Sequence, residues 1–184
     1  YTVTITHGSG CVVVETVTIP DGTPVVSNTV VTPVSCFGGN DGSISITPSF
    51  PSSAQFNWNT GATTDSVGGL TAGNYSVIVS DARPCFDTLQ FNITQPTDIV
   101  LALSSLPETS TGTQNGIAMV STTGGTLPYS FLWNDPLSQI DSIASGLASG
   151  MYSVVVTDNN GCSKTDSVLV DIARKSTRLN SSHI

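Results

Sequence analysis

Residues Gly146-Leu147-Ala148-Ser149-Gly150-Met151-Tyr152-Ser153-Val154-Val155-Val156-Thr157-Asp158-Asn159-Asn160-Gly161-Cys162 have two counterparts elsewhere in this chain of 184 residues. The stretch Gly69–Cys85 reads Gly-Leu-Thr-Ala-Gly-Asn-Tyr-Ser-Val-Ile-Val-Ser-Asp-Ala-Arg-Pro-Cys. A third copy, cut off at its start, is Tyr1-Thr-Val-Thr-Ile-Thr-His-Gly-Ser-Gly-Cys11. In all three the tyrosine stands ten residues before the cysteine, and the tyrosines at 1, 75 and 152 lie 74 and 77 residues apart. A repeat of that period is a small domain. Within the stretch, Tyr152, Val154 and Val156 alternate with other residues, the period-2 pattern of a strand with one buried face. Asn and Gly then supply a turn.

Composition supports the same fold class. Charged residues make up 10% of the chain, and only Glu15 and Glu108 are glutamates. Helix formers are scarce, while Val, Ile and Thr alternate between Gly and Pro, so the chain is expected to be all-β. The net charge of −8 conceals an uneven distribution. Arg174, Lys175 and Arg178 sit in the last eleven residues; the rest has thirteen acids against Arg83 and Lys164, a net −11. A surface of that sign repels phosphate, which excludes nucleic acid as a partner. No run of 18 apolar residues occurs, so membrane insertion is not expected.

Outward from the repeated stretch the chain divides into four parts. Residues 1–24 read as the last hairpin of a truncated repeat plus a linker, 25–96 as one β-sandwich repeat and 97–172 as a second. In the first repeat, strands are expected at Val25–Val34, Ser43–Ile46, around Phe56 and Trp58, weakly over Thr63–Val67, over Tyr75–Val79 and over Leu89–Ile93. The second repeat aligns with it: Gln114-Asn115-Gly116 stands at Asn40-Asp41-Gly42, Phe131-Leu132-Trp133 at Phe56-Asn57-Trp58, and Asp158 at Asp81. Six or seven short strands per repeat with regular turn signals indicate tandem immunoglobulin-like sandwiches. Residues 173–184 break the pattern. Arg174-Lys-Ser-Thr-Arg-Leu-Asn-Ser-Ser-His183 is similar to the translation of a sequencing-library adapter, and is read as a disordered, non-native tail.

The segments Cys36-Phe37-Gly38-Gly39-Asn40-Asp41-Gly42-Ser43-Ile44, Trp58-Asn59-Thr60-Gly61-Ala62-Thr63-Thr64 and Leu70-Thr71-Ala72-Gly73-Asn74-Tyr75 resemble the SprB-type repeat. Such repeats occur in tandem in very large surface adhesins of gliding bacteria of the Bacteroidota type. The Leu-x-x-Gly-x-Tyr segment is shared more widely with PKD and other immunoglobulin-like domains. There it resembles a tyrosine corner, implying that role for Leu70, Gly73 and Tyr75 and for Leu147, Gly150 and Tyr152. The resemblance implies secretion, surface exposure, an adhesive or stalk function and no enzymatic activity. The second copy departs from it where Ser110 stands in the place of Cys36.

An extracellular β chain with cysteines at strand ends suggests disulfides. A bridge within one repeat, Cys36–Cys85, is the preferred pairing. Cys11–Cys36 is an alternative, and four free thiols a third if the loops lie at opposite ends of a sandwich. Asp41, Asp81 and Asp158 carry the oxygens that Ca²⁺ takes, and equally are the residues that stabilise turns. His7 at the same position in the first copy argues against an obligatory ligand. Trp58 and Trp133 alternate in phase with a Phe two residues earlier and are expected in the core, rather than as sugar-stacking platforms. The expected partners are neighbouring repeats and a surface polysaccharide or other cell-surface polymer. A carbohydrate-binding accessory module of a secreted hydrolase is the rival reading.

Overall fold

The computed structural model describes residues 2–6, 8–10, 12–16, 25–50, 53–81 and 86–173. Expectations that concern Tyr1, His7, Cys11, the linker at 20–24, Cys85 and the tail from Arg174 fall outside the described residues. The described chain forms strands and no helix. A first hairpin consists of β1 (Thr2–Thr6) and β2 (Val12–Thr16), paired antiparallel from Thr2↔Thr16 to Thr6↔Val12.

Six strands follow in the first repeat: β3 (Val26–Thr32), β4 (Gly42–Pro48), β5 (Gln55–Trp58), β6 (Ser66–Leu70), β7 (Gly73–Ser80) and β8 (Phe86–Ile93). Six more follow in the second: β9 (Val100–Leu106), β10 (Gly116–Thr123), β11 (Ser130–Trp133), β12 (Ile143–Leu147), β13 (Gly150–Thr157) and β14 (Ser163–Val170). The wiring is the same in both. The first repeat has sheets β3-β4-β6 and β5-β7-β8, and the second has β9-β10-β12 and β11-β13-β14. In immunoglobulin lettering these are A-B-E and C-F-G, the immunoglobulin topology without strand D. The chain is therefore all-β with immunoglobulin-like sheet pairs in tandem.

One strand begins later than the sequence pattern suggests. Thr63–Val67 gives way to β6 from Ser66, because the preceding residues serve the tryptophan. The Trp58 amide donates to Ala62 O at 3.1 Å and the indole Nε1–H to Thr64 O at 2.8 Å, which holds 62–64 in a turn. Trp133 repeats the arrangement with two more residues in the loop, its amide donating to Gln139 O (3.0 Å) and its indole to Asp141 O (2.9 Å).

By contacts the chain separates into two compact units that cut across the repeats. The first comprises residues 1–30, 45–66 and 76–90, and the second 31–44, 67–75 and 91–184. In the first unit β5 pairs with β7 from Gln55↔Ser80 to Trp58↔Val77, and Ile46, Trp58, Val77 and Val79 are buried. The second unit holds the whole second repeat. Its core is Ala118, Val120, Trp133, Ala144, Leu147, Val154, Val156 and Val170, with Leu101, Leu103, Tyr129, Phe131, Tyr152 and Val168 packed against it. These positions are the inward half of each alternating strand, and the period of two in the sequence already marked Trp133, Val154 and Val156 among them.

Trp133 is 1% exposed at the centre of this core, whereas its neighbour Leu132 points outward and is 50% exposed. Trp133→Ala is expected to cost about 3–5 kcal/mol and Leu132→Ala about 0.5 kcal/mol or less, measured by urea unfolding.

Candidate functional site

The loops of the second unit carry most of the polar chemistry. At each turn into the F strand, a tyrosine hydroxyl reaches back to the backbone. Tyr75 Oη donates to Thr71 O at 3.0 Å and Tyr152 Oη to Ala148 O at 3.1 Å. Leu70 and Leu147 are buried beneath these corners.

The loop between the A and B strands is closed by one side chain in both repeats. Asp41 Oδ1 accepts from the Ser35 amide at 3.0 Å, and Asn115 Oδ1 accepts from the Thr109 amide at the same distance. Asp41 Oδ2 also takes a short hydrogen bond from the Ser35 hydroxyl. The loop turn is alike too: the Gly39 amide donates to Cys36 O at 3.0 Å, and the Thr113 amide to Ser110 O at 3.1 Å. Ser110 therefore occupies the structural position of Cys36. The Ser35 hydroxyl and amide hold the Asp41 carboxyl below its ordinary range.

Asp158 opens the FG loop of the second repeat and is 5% exposed. Burial alone would raise its pKa. The amides of Thr126, Cys162 and Asn160, each at 2.9 Å from a carboxylate oxygen, outweigh that and hold it low. The neighbouring backbone must come close to permit this. A Cβ on Gly125 would stand 2.9 Å from Asp158 Oδ2, and one on Gly124, where φ is +78°, would overlap Asp98 O. Glycine meets both demands.

The cysteines correct the preferred pairing. Cys36 is bonded to Cys162, across 126 residues, with Cα atoms 5.6 Å apart; it is therefore not available to Cys85. The physical reason is strand length. Gly42, at the end of the AB loop, packs on Ile93 at the far end of β8, whereas Cys85 precedes β8 in sequence. Eight extended residues separate the two ends by roughly 25 Å, against less than about 7 Å between bridged Cα atoms. The AB loop of one repeat meets instead the FG loop of the next. Asn160 Nδ2 donates to Ser35 O at 3.0 Å beside the disulfide. A recess of about 320 Å³ lies there, lined by Cys36, Phe37, Pro96, Ile99, Asp158 and Cys162. Asp98, at the edge of this recess, pairs with Lys164 at 2.9 Å, a contact of small energetic weight.

Two buried carboxylates went unnoticed in the sequence. Glu108, 1% exposed, takes the place of the buried Val34 of the first repeat. It accepts from the Gln114 amide (2.8 Å) and the Ser149 amide (2.9 Å), which lower its pKa against the effect of burial, and so ties the AB loop to the tyrosine corner. Asp135 sits in the two-residue-longer loop after β11. Burial would raise its pKa, but the Gln139 side chain and amide and the Leu137 amide hold it low. That one of only two glutamates falls at an alignment position of valine was the available signal.

The remaining expected residues are more dispersed. Asp81 is half-buried just past β7 and engaged with a partner. Among the described residues no group of three or more His, Cys, Asp or Glu side chains gathers, and the oxygens of Asp41 and Asp158 serve turn closure. Trp58 and Trp133 are 2% and 1% exposed. Neither has a free face for a sugar.

The family model of the SprB repeat matches residues 28–63 and 109–138, which run in the two copies over corresponding loops and strands B and C. Those two stretches are what the chain shares with the SprB repeat. Both matched stretches contain the AB-loop turn and the buried tryptophan described above. No curated protein matches the sequence. Among solved structures, the chain is similar to a C-terminal 282-residue fragment of intimin in complex with the intimin-binding domain of its translocated receptor, at 11% identity and a TM-score of 0.44, covering 79% of this chain and 64% of that one. It is also similar to a Dscam structure (12% identity, TM-score 0.35, covering 94% and 54%) and to an amphioxus IgVJ-C2 molecule (12%, 0.35, covering 80% and 98%). The chain spans about half the length of the Dscam chain.

Cys36→Ser and Cys162→Ser are each expected to destabilise the chain by about 2–5 kcal/mol in non-reducing chemical denaturation. The four carboxyls whose pKa values are lowered stabilise the fold above the ordinary carboxylate range and lose that contribution as pH falls through their folded-state values. Thermal midpoints should hold between neutrality and about pH 5 and fall below about pH 4. Asp158→Asn should lower the neutral-pH midpoint and flatten the acid decline.

Proposed function

We propose that the chain is a non-enzymatic structural and adhesive repeat region of a large secreted bacterial cell-surface protein. The observation that carries this reading is the disulfide joining one SprB repeat to the next. A covalent tie from AB loop to FG loop gives tension a path that bypasses the linker and most of both sandwiches. That is of use to a stalk under shear and of none to a catalyst. The carboxylates support the same reading, because Asp41, Glu108, Asp135 and Asp158 are hydrogen-bonded to the amides of the loops they shape.

The binding partners under this reading are neighbouring repeats and, at the exposed surface, a polysaccharide or other polymer of a cell surface, with avidity supplied by repetition. The rival, a carbohydrate-binding accessory module of a hydrolase, loses its two tryptophan platforms to the core.

Single-molecule pulling from the two termini tests the mechanical role. In the oxidised chain only the segments outside Cys36 and Cys162 are expected to extend. After reduction a further contour length of roughly 420–450 Å should appear, the reach of the chain across the 126-residue separation of Cys36 and Cys162. Repeat-length unfolding steps in the oxidised chain would contradict the proposal.

A further inference from the structure

Phe37 stands on the AB loop next to Cys36, is 54% exposed, and lines the recess of about 320 Å³ beside the disulfide. Its own turn does not require it. Thr111 occupies the same place in the second repeat, in a turn closed by the same backbone hydrogen bond. An aromatic ring that neither core nor turn demands is apolar area available to a ligand. The walls around it are fixed in advance. The Cys36–Cys162 bond joins the two loops, the Gly38 amide donates to Gln95 Oε1 at 2.8 Å, and the Gly125 amide donates to Thr97 O at 2.9 Å. A site held in this way costs little to order on binding. Its volume falls at the lower end of ligand sites, which span roughly 300–1,000 Å³. A second recess of about 210 Å³ shares Asp98 and Ile99 with the first and is lined further on by Val100, Leu101 and Lys164. Two recesses with a common wall suit consecutive units of a polymer.

Charge restricts what this cleft can take. Lys164 is the only Lys or Arg among the described residues, and it is already paired with Asp98 at 2.9 Å. Thirteen acidic residues in the chain set a field that repels a polyanion. The pair itself places an ammonium donor beside a carboxylate acceptor, which suits hydroxyls, since each of them both donates and accepts. A neutral pyranose meets both demands, with C–H groups on one face to pack on a ring and hydroxyls at its rim. We propose that the cleft binds a neutral polysaccharide, with Phe37 as the stacking platform and Asp98 and Lys164 as hydroxyl partners. This site rests on the adhesive reading given above and supplies the platform that the buried Trp58 and Trp133 do not.

Chemical-shift titration of the isotope-labelled full chain with cellohexaose, mannohexaose and laminarihexaose tests it. At least one of these should move the amides of Gly38, Thr97 and Ser163, and anionic hexagalacturonate should leave them in place. Phe37→Ala should weaken that binding about tenfold, the weight of one aromatic contact. The double substitution Asp98→Ala with Lys164→Ala, which orphans neither charge, should also weaken it. Phe86→Ala, which removes a 70% exposed ring on β8, should leave it unchanged. Four results would each overturn the site: no shift with any of the three neutral hexasaccharides, equal binding of hexagalacturonate, undiminished binding by Phe37→Ala, or an equal loss in Phe86→Ala. Neutral-glycan binding that survives Phe37→Ala would remove this site and leave the adhesive reading standing, whereas the pulling experiment tests the mechanical reading by itself.

Discussion

A sandwich of about 70 residues buries little apolar surface for its length, and the two in this chain have short C strands of four residues each. Under that constraint the Cys36–Cys162 bond is the interaction on which the arrangement of the loops depends. In the chain-entropy account, closing 126 residues restricts the unfolded ensemble by about 4–5 kcal/mol, comparable with what a small core leaves over after conformational entropy. The bond is made between loops rather than within a core. It therefore adds a covalent tie to the Asn160–Ser35 hydrogen bond between the two loops.

The loops themselves are prepared for it by carboxylates and amides. Asp41 closes the AB loop that presents Cys36, and Asp158 closes the FG loop that presents Cys162. The second repeat, whose AB loop bears Ser110, has its own substitutes. Asn115 replaces Asp41, and Glu108 adds a buried latch from AB loop to tyrosine corner. Where the thiol is missing, the loop is still built. Asp41, Glu108, Asp135 and Asp158 thus serve the architecture of the loops that hold them.

Much of this was legible in residue order. The recurrence of tyrosine ten residues before cysteine located the F strands β7 and β13, and the in-phase Phe and Trp located the C strand and the core. Local periodicity suffices for such features because each is decided within one strand. The disulfide was not legible in the same way. Four cysteines allow three complete pairings, and choosing among them needs the ends of the sandwich, which appear only once eight-residue strands are laid side by side. Asp135 and Glu108 were missed for a related reason. Apart from the Gln139 side chain, their partners are backbone amides of loops, those of Gln139 and Leu137 for one and of Gln114 and Ser149 for the other, which leave no mark on a sequence. The start of β6 at Ser66 likewise follows from hydrogen bonds to Trp58 rather than from any β propensity of Thr63 and Thr64.

The central claim, that the AB loop of the first repeat is bonded to the FG loop of the second, is tested most directly by proteolysis of the unreduced protein and mass spectrometry of the linked peptides. The account requires a peptide pair containing Cys36 and Cys162. A pair containing Cys36 and Cys85, or free thiols at both Cys36 and Cys162, would contradict it.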